Sequence, residues 1–242
     1  MSAVRKAPPS ALAALTEQGF YRIAPLEMAG LLGATATPTA LADFAASWSR
    51  LETDGFMADG GRYRRRRHAN FAAVAGVPGQ RRGEHRPHFQ ASVHNSLNGG
   101  VDRWFAPVEA AVGDSAVLGA LLELGRGAAD TLFGARDWFT EMHQFRIEAA
   151  AGLPGYPTPE GVHQDGVDLV IIAMIARTNL TGGETVVAAL DGRPLAQFTL
   201  DGMLDTAVLD DTRVRHGVSP IAPTDPTLPS CRDVLVLTWK RV

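Results

Sequence analysis

Cysteine is nearly absent. The one present, Cys231, has no partner for an internal disulfide, which favours a reducing compartment. Long apolar runs are missing too. The longest, residues 169–176, is far too short to span a bilayer. The two cations near the N-terminus lead into no apolar stretch like that of a signal peptide, because Thr16, Glu17 and Gln18 break the segment after Ser10. Neither charge is in excess: 23 Lys and Arg stand against 26 Asp and Glu, for a net charge of −3. That balance calls for neither nucleic acid nor an anionic membrane as partner. Internal repeats and low-complexity tracts are also lacking. What is there reads as a soluble cytoplasmic protein of 242 residues, 45% of them hydrophobic, which suits a single domain with a good-sized core.

The first third reads as helical. Residues 11–17 follow Ser10 as a candidate N-cap, residues 25–32 form a second short helix, and Thr37-Pro38 supplies a cap and a first-turn proline for the stretch to Arg50. Residues 60–74 alternate as a strand through Tyr63, Arg65 and Arg67. Ala and Leu at helical spacing predict a longer helix over 115–132, capped by Asp114 or Ser115. From Trp138 the pattern turns to strands: 138–149, then a nearly continuous apolar one over 166–179, as expected of a strand covered on both faces. Strands 184–190 and 194–200 flank the hairpin turn Asp191-Gly192. Strands 205–209, 213–221 and 232–240 complete the set, with a Pro-rich loop over 222–230. Short strands separated by turns suggest a barrel or jelly roll, with the helices packed outside it as a buttress.

Within that β block, His163-Gln164-Asp165 precedes the long apolar strand, and His216 opens His-Gly-Val on a later one. On an extended strand, residues two apart share a side, so His163 and Asp165 would face one ion. His216 would complete a two-His-one-carboxylate facial triad, which leaves three adjacent positions of a non-haem Fe(II) open. The plainer reading makes them loop polar residues and a satisfied core histidine. The context of glycines, apolar strand and second histidine in the same block favours the metal. Arg232, at the start of the last apolar strand, could hold the far carboxylate of a keto-acid co-substrate through its guanidinium fork; an isolated Arg would otherwise read as a surface ion pair.

Other residues carry weaker signals. Gln144 and Arg146 share one face of strand 138–149, and His143 and Phe145 the other; Arg146 is a candidate for a substrate carboxylate and Gln144 for a substrate hydrogen bond, if that face is not simply solvated. Thr181-Gly182-Gly183-Glu184 reads as a plain turn, with Asn179 and Glu184 nearby. The Arg64–Arg67 run divides between two strand faces and serves as edge charge, with some of it free to line a pocket. His85, His88 and His94 lack the Cys or spaced carboxylate of a zinc set and are placed near the site entrance. Cys231 reads as packing.

The string Pro157-Thr158-Pro159-Glu160-Gly161-Val162-His163-Gln164-Asp165-Gly166, with His143-Gln144-Phe145-Arg146-Ile147 before it and Asn179 and Gly182-Gly183-Glu184-Thr185 after it, resembles a bacterial family of 2-oxoglutarate/Fe(II)-dependent dioxygenases. That family includes free L-isoleucine hydroxylase and homologues of the biofilm, stress and motility protein. The resemblance is close over residues 138–239. It implies a mostly β (α+β) fold with a double-stranded β-helix, or jelly-roll, core: a helical buttress over 1–60, a strand-and-helix lead-in over 61–137, and the core with its metal site over 138–242. By position it implies His163, Asp165 and His216 as iron ligands and Arg232 as the 2-oxoglutarate arginine, with O2 as co-substrate. The implied reaction is hydroxylation of an aliphatic C–H of a small molecule, most simply a free amino acid; a homodimer is compatible with it. Two other readings stay open: a non-catalytic jelly-roll binding protein with a stress or biofilm role, and a cupin-like metal hydrolase or isomerase, which would not need Arg232.

Overall fold

A computed structural model describes residues 9–95 and 97–242. The described residues form five α-helices and thirteen strands: α1 (Pro9–Gln18), β1 (Phe20–Ile23), α2 (Pro25–Leu32), α3 (Pro38–Ala46), β2 (Glu52–Thr53), β3 (Arg64–Ala73), β4 (Arg81–Arg82), α4 (Ala110–Gly113), α5 (Ala116–Phe133), β5 (Trp138–Ala149), β6 (Leu169–Thr178), β7 (Leu180–Gly182), β8 (Glu184–Ala189), β9 (Pro194–Thr199), β10 (Thr206–Asp210), β11 (Val214–Val218), β12 (Ile221–Pro223) and β13 (Ser230–Arg241). Helix starts follow local chemistry. Pro25 and Pro38 occupy first-turn positions, where no N–H is missed. The Thr37 and Ser115 side chains accept the Ala40 and Leu118 N–H groups, each at 3.2 Å. Helix α1 begins at Pro9, so Ser10 lies inside it rather than capping it.

Two antiparallel sheets make the jelly roll. The larger runs β1-β10-β6-β13-β5-β3-β2, with β4 on β3; the smaller runs β11-β8-β9, and β12 pairs with β7. One face of the larger sheet, carrying Leu169, Ile171 and Ala173 of β6 and Leu235, Leu237 and Trp239 of β13, packs on the helices. The other, carrying Val170, Ile172, Met174 and Val234, meets Val187 and Val214 of the smaller sheet. Both faces of β6 and β13 are therefore buried, which explains their unbroken apolar runs. Helix α5 lies so close to the sheet that a Cβ on Gly125 would stand 2.1 Å from the Trp239 ring. Trp48 donates its indole N–H to the carbonyls of Phe145 and Val234, each at 3.2 Å, across the β5–β13 pair.

The helical buttress expected over 1–60 also contributes strands. Through β1 it covers the edge of β10, satisfying backbone groups that would otherwise be an open template for another strand. Strand β3, from the lead-in, lies deep in the larger sheet beside β5. The sheet thus recruits strands from all three expected segments. Among the described residues no helix is long and apolar enough to cross a membrane.

Candidate metal centre and substrate cavity

The larger sheet fixes which side chains face inward. Register pairs Arg66 with Phe145 and Phe145 with Val234, then His68 with His143 and His143 with Val236, while Arg64 and Arg232 flank Ile147. These rows line a cavity of about 490 Å³ between the sheets, with His163, Asp165 and His216 on its far side.

His163 and Asp165 do not sit on a strand, as their spacing predicts. They lie in the connection from β5 to β6, held to β11 by one antiparallel bridge in which His163 and His216 exchange both backbone hydrogen bonds at 2.9 Å. The Gly161 carbonyl lies 3.0 Å from His163 Nδ1 and can only accept, so Nδ1 carries the hydrogen and Nε2 is left as a ligand atom. Asp165 Oδ1 is 3.3 Å from that Nε2, and Asp165 Oδ2 is 3.9 Å from His216 Nε2. One ligand atom from each residue falls within 4.8 Å of the others, so the structure brings the three together. Asp211 clamps the loop from behind, accepting the backbone N–H groups of Asp165, Gly166 and Val167 at 3.0, 2.8 and 3.1 Å, and Gln164 donates to its carbonyl. Gly166, at φ +80°, is required here, since a Cβ would strike the His94 ring at 2.4 Å.

Electrostatics favour a cation at this point. Burial works against a charged His163, but the Asp165 carboxylate beside it lifts the imidazole to about 9. Burial likewise opposes the Asp165 charge, and the two histidines overcome it, holding that carboxyl well below its usual range. His216, farther from the carboxylate, is pushed by burial down to about 4. Burial, with the Asp165 charge adding to it, raises Asp211 to about 7, against the three N–H groups that favour its ionised form. A proton on His163 stands where a divalent ion would compete for the same ligands.

Arg232, on β13, is 2% exposed, and its Nε and Nη2 have no hydrogen-bond partner among the described residues. Burial, and then the neighbouring Arg177, lower its pKa to about 10. A buried cation without partners is costly. Its natural complement is a carboxylate gripped by two nitrogens. An open His–Asp–His donor set and a free guanidinium in one cavity therefore fit an iron ion together with a chelating keto diacid.

The opposite side of the cavity is more polar than expected. His68 Nε2 and His88 Nδ1 both bond one Glu141 oxygen, at 2.9 Å each, and Arg66 Nη2 bonds His143 Nδ1 at 2.7 Å. These four could hold an ion. The His68 and His88 nitrogens facing Glu141 donate their hydrogens to it, however, and the His143 Nδ1 lone pair takes an Arg66 hydrogen, so a guanidinium sits where an ion would bind. Arg66 is also sandwiched between Phe105 and Phe145, 3.6 and 4.4 Å from their centroids. Asp54 takes Arg64 at 2.7 Å and lies 3.7 Å from Arg66. The Arg65 and Arg67 side chains instead reach Glu148 and Glu52.

Gln144 and Arg146 face away from this cavity. Gln144 bonds the Ser47 hydroxyl at 2.8 Å on the helix side, and Arg146 makes a two-pronged pair with Asp233 at 2.8 and 2.7 Å. Both faces of β5 carry polar residues, and only the helix packing decides which one is inner. Asn179 caps the 225–229 loop and Glu184 pairs with Gln197, so neither belongs to the cavity. Of the three loop histidines, His88 and His94 line the cavity, while exposed His85 stacks edge-on against Trp104. Glu141, His68, His143, Glu160 and Arg103 also line or back the cavity, though the site expected from the sequence does not include them. The alternation Arg64, Arg66, His68 against Glu141, His143 is a signal for part of this set; Arg103, in a loop, has none.

This arrangement is a candidate mononuclear metal site in a jelly roll, and the comparisons place the chain in a family of metal oxygenases. The 2OG-Fe dioxygenase family model matches residues 45–238, and the chain belongs to that family. It is therefore a 2OG-Fe dioxygenase, of a family that uses Fe(II), 2-oxoglutarate and O2. A solved bsmA homolog from Methylobium petroleophilum PM1 is 36% identical, with 100% of this chain and 97% of that one covered at a TM-score of 0.84. IDO from Bacillus thuringiensis shares the fold at 18% identity, with coverage of 96% and 98% and a TM-score of 0.80. The 3(1)-hydroxy-L-isoleucine 4-dioxygenase of Pantoea ananatis is 26% identical over 163 residues, just under two thirds of each chain at 66%.

Proposed function

We propose that this dioxygenase hydroxylates an aliphatic C–H of a free amino acid, with Fe(II) held by His163, Asp165 and His216 and the far carboxylate of 2-oxoglutarate held by Arg232. The observation that carries the site assignment is the buried, partnerless guanidinium of Arg232 in the same cavity as the open donor set. When bound, iron and 2-oxoglutarate activate O2, so that one oxygen atom enters the substrate and the other leaves in succinate, with CO2 lost. The chain's residues do the rest. The His163 ring is oriented by Gly161, the loop bearing Asp165 is fixed by Asp211, and Arg232 sets the direction of the keto diacid. Phe145, Ile172, Val218, Val234 and Val236 give the cavity an apolar lining that excludes water from the reaction.

The amino-acid substrate is supported by the relative that acts on a hydroxy-isoleucine and by a cavity in the ordinary small-ligand size range. The test is anaerobic loading with Fe(II) and 2-oxoglutarate, followed by air and a panel of aliphatic amino acids, with succinate and hydroxylated product measured together. Substrate-dependent succinate matched by a hydroxylated amino acid is the expected result. Succinate that no amino acid stimulates would remove the substrate assignment.

A further inference from the structure

Two arginines are almost wholly buried, at 2% exposure each: Arg232 and Arg103. Both line the same cavity. Arg103 lies in a loop fixed by a bridge to His88, with N–H to carbonyl distances of 3.0 Å in both directions. Its guanidinium makes no hydrogen bond and no ion pair among the described residues, and its Nε and Nη2 are buried without partners. The nearby cations differ from it. Arg64 pairs with Asp54, and Arg66 lies near the same carboxylate, bonds His143 and is held between two aromatic rings. Arg103 has only the Phe105 ring, its centroid 5.8 Å away.

An acidic counterpart faces the same space. Glu160 Oε2 is buried without a partner, while its Oε1 lies 3.4 Å from His163 Nε2. Arg103 and Glu160 feel one another's charge, yet no ion pair joins them. A cation without a partner and a carboxylate with one free oxygen, lining one cavity and not closing on each other, leave a gap between opposite charges. A molecule carrying both charges on one carbon would fill it.

We propose that Arg103 binds the carboxylate and Glu160 the ammonium of a zwitterionic α-amino acid, placing the substrate's headgroup between β3 and the metal ligands. This rests on the amino-acid reading above, but makes a separate claim about residues. Binding is measured calorimetrically on the full chain loaded anaerobically with Mn(II) and 2-oxoglutarate. The probes are L-isoleucine, L-isoleucinamide, which lacks the carboxylate, and 3-methylpentanoate, which lacks the ammonium. Wild type binds L-isoleucine more tightly than either analogue. Arg103→Gln weakens L-isoleucine by about 30-fold or more and erases the preference for acid over amide, and Arg103→Lys restores part of it. Glu160→Gln erases the preference for L-isoleucine over 3-methylpentanoate. Mn(II) and 2-oxoglutarate affinities of the Arg103 variants stay at the wild-type level, which also shows that they are folded.

The proposal is overturned if Arg103→Gln binds L-isoleucine as well as wild type does, or loses 2-oxoglutarate instead. If wild type binds 3-methylpentanoate in an Arg103-dependent way but no amino acid, the amino-acid reading fails and the carboxylate site at Arg103 stands. If it binds none of the three probes, both fail.

Discussion

On one side of the cavity, His163, Asp165 and His216 come from a loop and a strand tied by a single bridge, with Arg232 nearby on β13. On the other side, Arg64, Arg66 and His68 of β3 and Glu141 and His143 of β5 meet His88 and Arg103 from two loops. The first side holds open valences: imidazole nitrogens, a carboxylate and a guanidinium with few protein partners. The second is mostly paired within itself: Arg64, Arg66 and His68 each leave one nitrogen without a partner but bond through another, and Arg103 alone makes no side-chain bond among the described residues. A site that must accept an ion and a diacid has to leave ligand atoms free and accept the instability of doing so. A surface that only shapes a pocket can close its own hydrogen bonds and gain rigidity.

The largest effects are therefore expected on the open side. Asp165→Asn removes the only carboxylate of the donor set, which leaves two neutral imidazoles and no charge to balance the ion. Fe(II) affinity, read by anaerobic titration, should fall by more than the ~10–100-fold typical of changes to groups that merely support a ligand, and turnover should vanish. Retention of tight iron binding would mean that another carboxylate, Glu160 being the nearest at 3.4 Å from His163, supplies the charge.

Next comes Arg232→Gln. Removing one partner from a buried charge pair costs about 2–5 kcal/mol, so 2-oxoglutarate affinity should drop by about 30-fold or more, with iron binding kept. Loss of the metal along with the co-substrate would show that Arg232 supports the ligands rather than the diacid.

The same contrast explains why one side of the cavity is legible in the linear sequence and the other is not. Metal ligation restricts residue type and demands short spacing, so His163-x-Asp165 and a distant His216 stand out. The outer face of a substrate pocket obeys no such rule: residues 64–68, 88, 103 and 141–143 each contribute one to three side chains, and only sheet register and loop packing join them. The elements follow a similar logic. Residues 25–32 and 138–149 match α2 and β5 because a first-turn proline and a long apolar alternation are local signals. Strands β1, β2, β4, β7 and β12 have two to four residues each and owe their conformation to the neighbour they pair with. Gln144 and Arg146 read as pocket residues from sequence but lie on the other face, because polarity alternates on both sides of β5. The position of Trp48 and Ser47 against one side is a tertiary fact.

The smallest effect is a pH dependence that should separate His163 from the closed side in metal-free protein. On the closed side, burial pushes His68, His88 and His143 below their ordinary value of 6.5, more than offsetting what Glu141 returns to His68 and His88. Groups with depressed folded pKa stabilise the fold above their unfolded value, and that stability is lost as pH falls below it. Glu141 adds to this at lower pH: burial would raise it, but the two imidazole hydrogen bonds hold it at about 2, so its contribution fades as pH drops below its ordinary 4.5. On the open side His216, pushed by burial to about 4, shares this sign, but His163 has the opposite one. Raised to about 9, it stabilises fully below 6.5 and loses that contribution as pH climbs through 9. Urea midpoints should therefore peak near neutrality, with limbs approaching ~1.4 kcal/mol per pH unit for each proton involved. His88→Gln keeps a donor for Glu141 but no titrating ring, and should flatten the acid limb; His163→Gln should flatten the alkaline limb. If His88→Gln altered the alkaline limb, the two sides would be one coupled network and the contrast between them would not hold.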